Sequence, residues 1–132
     1  MKLKTKKEKI LDIAKKTLLM EANELRLVAE KINESLVKCM EVILDSKGKI
    51  VLIGIGKSGN IAKKITATLC STGTPAVFLH ASDAVHGDLG IYNPGDPTIM
   101  ISKNGSTEEL IRLIPILKNF NSPIISIVGN LK

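Results

Sequence analysis

"GKIVLIGIGKSGNIAKKITATLCSTG", residues 48–73, changes its hydrophobic period halfway along. "KIVLIGI" is a continuous β-branched run, as expected of a strand covered on both faces. "GNIAKKITATLCSTG" follows with helical spacing and ends at Gly73, a residue suited to closing a helix. Between them Gly54, Gly56 and Gly59 stand at G-x-G-x-x-G spacing, where a strand gives way to a helix. That arrangement places backbone N–H groups at a helix N-terminus, which favours bound phosphate.

Downstream the same alternation repeats. "PAVFLH" (75–80), "PTIMIS" (97–102) and "SPIISIVG" (122–129) read as strands, and "STEELIRLIPILKNF" (106–120) as a helix kinked at Pro115. Strand, helix, strand, loop, strand, helix, strand is the grammar of an α/β fold with a parallel sheet and flanking helices. Upstream, residues 8–45 read as N-terminal helices with a break near Asn33–Ser35. One face runs through Ile10, Ala14, Thr17 and Leu18, then Leu25, Val28, Ala29 and Ile32, then Leu36, Cys39, Met40 and Ile43. The "DSKGK" turn ends this segment, with Gly48 free to take positive φ. The domain reading is therefore a helical segment over 1–45 that packs on an α/β domain over 46–132. The grammar calls for a covering helix after the fourth strand, so the chain is expected to be truncated, its domain incomplete at the C-terminus.

The 132 residues suffice for one domain with a real core. The chain is 44% hydrophobic but only 2% aromatic, so Leu, Ile and Val must fill that core. No apolar run approaches the ~20 residues of a membrane span, and "MKLKTKKEKI" lacks the apolar core of a secretory signal. The net charge of +6 owes much to Lys2, Lys4, Lys6, Lys7 and Lys9. With almost no aromatics to stack on bases, they read as a frayed, solvated helix start and not a nucleic-acid arm. Cys39 and Cys70 fit no metal or redox spacing and read as reduced core residues of a cytoplasmic protein.

Two familiar phosphate motifs fail at their second requirement. A dinucleotide fingerprint wants an acid at the end of the second strand, and that strand ends in Leu79–His80. A P-loop wants Gly at position 51, which is Val. "SKNGSTEEL" (102–110) shifts the balance, because Ser102, Asn104, Ser106 and Thr107 gather around Gly105 before a helix. Hydroxyls and free N–H groups there form a second anion cradle, although Ser106-x-x-Glu109 is also a capping box that needs no ligand. In a parallel sheet both loops lie at strand carboxyl ends, where ligands bind. Together they point to a compact phosphate monoester. Between them His80, Asp83, His86 and Asp88 form a polar loop cluster, which is also a candidate metal set.

"GKSG", "STGTP" and "HGDLG", in this order, resemble the sugar isomerase (SIS) domain of bacterial D-arabinose 5-phosphate isomerases, a flavodoxin-like three-layer αβα fold. The resemblance runs from about Gly48 to Gly129. It implies reversible aldose–ketose isomerisation of D-ribulose 5-phosphate and D-arabinose 5-phosphate through an enediol, serving lipopolysaccharide or capsule synthesis. It implies Lys57 and Glu109 as catalytic residues and Ser58, Ser102 and Thr107 as phosphate contacts. Gly73, Thr74 and His86 would touch substrate. His80 would hold an inhibitory zinc, with no cofactor required. The partner would be a small phosphosugar, with neither nucleic acid nor membrane, in a homo-oligomer, dimer or tetramer. The family loop usually reads "SNSGES", so Asn104 stands where a phosphate-binding serine is usual. By the same resemblance a second glutamate and a second histidine of the site lie beyond Lys132. The alternative is a non-catalytic sugar-phosphate-binding module built on the same cradle.

Overall fold

The structure, a computed structural model, describes residues 5–129. The chain divides into two compact units between Lys38 and Cys39.

The first unit is dominated by helix α1 (Lys6–Lys31). Its start is capped and not frayed: the Thr5 hydroxyl accepts from Glu8 N–H while Glu8 Oε2 accepts from Thr5 N–H at 2.7 Å. This reciprocal capping box replaces the expected loose end; Lys2 and Lys4 lie outside the described residues. Ile32 takes an extended backbone and stops the helix. Asn33 Oδ1 then accepts from Ser35 N–H, opening helix α2 (Glu34–Leu44) at the expected break. No side chain of α1 is buried, so the apolar face read from the sequence is uncovered among the described residues.

The second unit is a four-stranded parallel sheet of β1 (Ile50–Gly54), β2 (Ala76–His80), β3 (Thr98–Ser102) and β4 (Ile124–Val128), in the order β2-β1-β3-β4. Helix α3 (Gly56–Ser71) joins β1 to β2, and α5 (Glu108–Asn119) joins β3 to β4. Alternation along the central strands builds two cores. Val51, Ile53 and Met100 meet Leu110, Leu113 and Leu117 of α5 on one face. Ile50, Leu52, Ile99 and Ile101 meet Ala62, Ile65 and Leu69 of α3, with Ile43 of α2, on the other. Helices on both faces make the expected three layers. Pro115 sits exposed inside α5, which runs through it as one helix. The segment after β2, read as a loop, instead forms helix α4 (Ala81–Val85) and a short 3₁₀ turn (Asp88–Ile91). Both are too short to carry a visible period.

At the amino-terminal edge of the sheet a buried polar network holds the strands. Asp96 Oδ2 accepts from Lys49 Nζ at 2.5 Å and from Asn93 N–H at 2.8 Å, while its Oδ1 accepts from Lys49 N–H. The Tyr92, Thr98 and Ser122 hydroxyls form a chain ending on the Asp96 carbonyl. This explains Gly48 differently from the sequence reading. Its φ is not positive; a Cβ there would lie 2.0 Å from Asp96 Oδ1. Cys39 is half-buried and Cys70 is exposed, its thiol donating to the Ala76 carbonyl, so neither is the core residue expected. The helix packs its Ala62, Ile65 and Leu69 stripe inward and leaves position 70 outside. Among the described residues no helix is long and apolar enough to cross a membrane.

Candidate active site

In this strand order, the chain leaves β1 toward β2 and leaves β3 toward β4, so the direction of travel reverses between β1 and β3. Loops diverge at such a switch point and leave a crevice outside the strand carboxyl ends. The β1–α3 turn and the β3–α5 loop border it.

The glycines of the β1–α3 turn have separate duties. Gly56 takes φ +55 and turns the chain into α3. Gly54 and Gly59 let the helix touch the strand: a Cβ on Gly54 would lie 2.9 Å from Gly59 N, and one on Gly59 would lie 3.1 Å from Gly54 O. The N-cap of α3 is Ile55, which has no side-chain acceptor. Lys57, exposed in the first turn of α3, lines a 380 Å³ cleft with Gly56, Gly59, Asn60, Lys63, Phe78 and His80. Ser58 sits beside it, half-buried. Lys63 Nζ lies 5.0 Å above the Phe78 ring, and the His80 ring stands edge-on to Phe78 at 6.4 Å. Asn60, Lys63 and Phe78 were not singled out from the sequence. The signal was there: positions 57, 60 and 63 share one side of a helix, and 78 and 80 one side of a strand.

In the β3–α5 loop the Ser102 and Thr107 hydroxyls are bonded at 3.0 Å, and Ser102 Oγ accepts from Gly105 N–H at 3.1 Å. Gly105 takes φ +71, which folds the loop over. The expected Ser106–Glu109 capping box is absent. Thr107 is the N-cap, its hydroxyl is engaged with Ser102, and no side chain caps α5. The first-turn N–H groups of a helix have no intrahelical acceptor, so both helix starts at the switch point present unanswered donors. The start of α1, by contrast, is closed by a side-chain capping box. Glu108 pairs with Arg112 on the exposed side of α5. Glu109 is half-buried and makes no hydrogen bond or ion pair among the described residues. Asn104 is exposed on the loop.

Two of the remaining candidates are not gathered here. Gly73 and Thr74 lie before β2, at the opposite edge of the sheet, a strand of five residues or roughly 17 Å from the Lys57 turn. They complete a Schellman motif at the end of α3: Gly73 N–H donates to Cys70 O and Thr74 N–H to Leu69 O, with Gly73 at φ +92. His86 is exposed at the C-cap of α4. His80, Asp83, His86 and Asp88 do not converge: among the described residues no three His, Cys, Asp or Glu side chains are placed to hold a metal ion. One imidazole is not a metal centre, so His80 and its neighbours do not fit a zinc ion.

The fold and crevice define a doubly wound α/β protein whose switch point is bordered by two helix starts without side-chain caps. Comparison with known proteins makes this specific: the SIS domain family model matches residues 43–132, and the chain belongs to that family. It is similar to arabinose 5-phosphate isomerase KdsD of Pseudomonas aeruginosa, with 40% identity over 117 residues covering 89% of this chain and 36% of the relative. The chain thus spans about a third of the length of the curated relatives it matches. Among solved structures it is similar to a candidate sugar-phosphate isomerase from Listeria monocytogenes, with TM-score 0.88 and 43% identity over 97% of this chain and 67% of that one. An Escherichia coli CFT073 protein in complex with arabinose 5-phosphate matches with TM-score 0.77 and 39% identity, over 91% of this chain and 65% of that one.

Proposed function

We propose that this chain binds a pentose 5-phosphate at the switch point and takes part in the reversible isomerisation of D-ribulose 5-phosphate and D-arabinose 5-phosphate. The observation that carries the reading is the uncapped start of α5. There the Ser102–Thr107 hydroxyl pair and unanswered N–H groups would form an anion cradle, on the strand next to the one whose following turn carries Lys57. Its kinship with relatives named arabinose 5-phosphate isomerases supports the choice of sugar. Ser58, Asn104 and Thr107 would hold the phosphate, and His86 the sugar. The two free thiols fit a reducing cytoplasm.

Isomerisation removes the proton from C2 of the aldose, forms an enediol, and returns a proton to C1. It needs a base beside the carbon acid and a positive charge beside the developing oxyanion. Glu109, the first-turn carboxylate with no competing partner, is assigned the base; Lys57 is assigned the oxyanion. The 1–132 chain is mixed with ribulose 5-phosphate, arabinose 5-phosphate formation is followed, and the phosphosugar-induced thermal shift is read in parallel. Turnover that falls ~10²–10⁴-fold in Lys57→Ala, with the thermal shift retained, is the expected result. A shift without turnover in the unsubstituted chain would make it a binding module. The absence of both would sink the reading.

A further inference from the structure

The cleft that Lys57 lines opens on the α3 side of the sheet. Along β2, Val77 and Leu79 face the core shared with α5, while Ala76 and Phe78 face the core shared with α3. Alternation along the strand carries His80 to the α3 side with Phe78. Strand β2 is an edge strand, and β1 separates it from β3, whose following loop holds the Ser102–Thr107 hydroxyl pair. The cleft and that loop share no residue, and they belong to helices on opposite faces of the sheet.

The cleft is cationic without compensation. Lys57, Asn60 and Lys63 come from α3, and Phe78 and His80 from β2. No Asp or Glu lines it, and among the described residues neither lysine has an ion-pair partner. Lys63 Nζ instead lies 5.0 Å above the Phe78 ring, a contact that holds the ammonium in place without neutralising it. The half-buried His80 imidazole meets Phe78 edge-on and makes no hydrogen bond among the described residues, so its ring nitrogens are open to a ligand. A concave surface lined by one sign of charge concentrates its field and gathers counter-ions. A phosphate monoester brings close to two negative charges and three acceptor oxygens, which suits three separate donors. The 380 Å³ volume lies in the range of small-molecule sites, roughly 300–1,000 Å³, and leaves space for a carbon body beside the anion. Asn60 offers that body an amide donor and acceptor. We propose that the α3–β2 cleft is a second anion site, separate from the start of α5, and that it takes an organic phosphate monoester. Lys57, Lys63 and His80 answer the phosphate, and Asn60 answers the hydroxyls of the body. The site shares Lys57 with the isomerase reading but does not rest on that reading.

The test is a titration of the isotope-labelled full chain, followed by backbone amide chemical shifts. Inorganic phosphate and glycerol 3-phosphate are each compared with sodium chloride at the same ionic strength. The amides of Gly56, Lys57, Asn60, Lys63 and His80 are expected to shift with both phosphates and not with chloride. Glycerol 3-phosphate should half-saturate them at the lower concentration. Lys63→Met keeps a long side chain against Phe78 but removes the charge, and should weaken this response ~10-fold. Any response of the amides from Gly105 to Glu109 should be unchanged in that variant, and those amides report the start of α5. A response confined to Gly105–Glu109 overturns the cleft site and leaves the sugar-phosphate reading standing. A response confined to the cleft supports the second site and removes the cradle from that reading. Cleft shifts that chloride reproduces, or that Lys63→Met leaves at the same concentration, overturn the proposal. Equal half-saturation by the two phosphates overturns the organic ligand.

Discussion

Asp96 shows how much one side chain can carry in a short sheet. Burial pushes its carboxyl pKa up, but the Lys49 ammonium and the Asn93 and Lys49 N–H groups outweigh that, and the net direction is down. A depressed folded-state pKa adds stability that is present above the unfolded value near 3.9 and lost as pH falls through the folded one. The stability gap between the unsubstituted chain and Asp96→Asn should therefore be constant from neutrality to about pH 4 and narrow below it. At neutral pH we expect the gap to be about 2 kcal/mol, because the substitution leaves Lys49 partly buried without its counter-charge. Urea titrations at several pH values would measure it, and a gap that persists unchanged to pH 2 would contradict the pairing. Tyr92 acts at the other end of the scale. Burial pushes its phenol up to about 12, against the bond from Thr98, with the nearby Asp96 charge pushing the same way. Here the folded pKa is raised, so the contribution is complete below pH 10 and lost as pH rises toward 12. Tyr92→Phe should lose stability less steeply than the unsubstituted chain across that alkaline window, which melting curves would show directly.

At the scale of elements, the β1–α3 turn separates two reasons for glycine. Gly54 and Gly59 are needed because strand and helix backbones approach within the space of a side chain; Gly56 is needed only for its backbone angle. Gly56→Ala meets open space and should cost about 1–2 kcal/mol of left-handed strain. Gly59→Ala must push α3 away from the Gly54 carbonyl, and through Ala62 and Ile65 disturb the core beneath. It should cost about 2–3 kcal/mol, the range of overpacked cores. The two denaturation midpoints should fall in that order. If Gly56→Ala proved the more damaging, close approach would not be what defines this turn. The β3–α5 element differs in kind. Its loop is closed by Ser102, Gly105 and Thr107 bonding among themselves, which removes the one hydroxyl that could have capped α5.

At the scale of the whole chain, both cores draw only on residues from Ile43 onward, while α1 buries nothing. Deleting residues 1–38 should therefore leave a cooperative thermal transition for the α/β unit, seen by circular dichroism at wavelengths that report the sheet. Loss of cooperativity would mean that α1 supplies stability to the sheet that the burial pattern does not show.

The sequence by itself determined the strands, the long helices, their parallel order and the two phosphate-type loops. These are local properties: a period of two or 3.6, a glycine at a turn, a β-branched run. "KIVLIGI" had to be a buried strand whatever surrounded it. Tertiary structure alone decided the rest. Gly48 is glycine because of Asp96, 48 residues away, and no local pattern holds that distance. Ser106 does not cap α5, because Ser102 bonds Thr107 and sets where the helix begins. Helix α4 and the turn after it were invisible because they are shorter than any readable period. Gly73 and Thr74 are near neighbours of α3 in sequence yet lie at the far edge of the sheet from Lys57, since a helix and a strand must both be traversed to return. Residue types name the chemistry available; only the path of the chain decides which of them share a crevice.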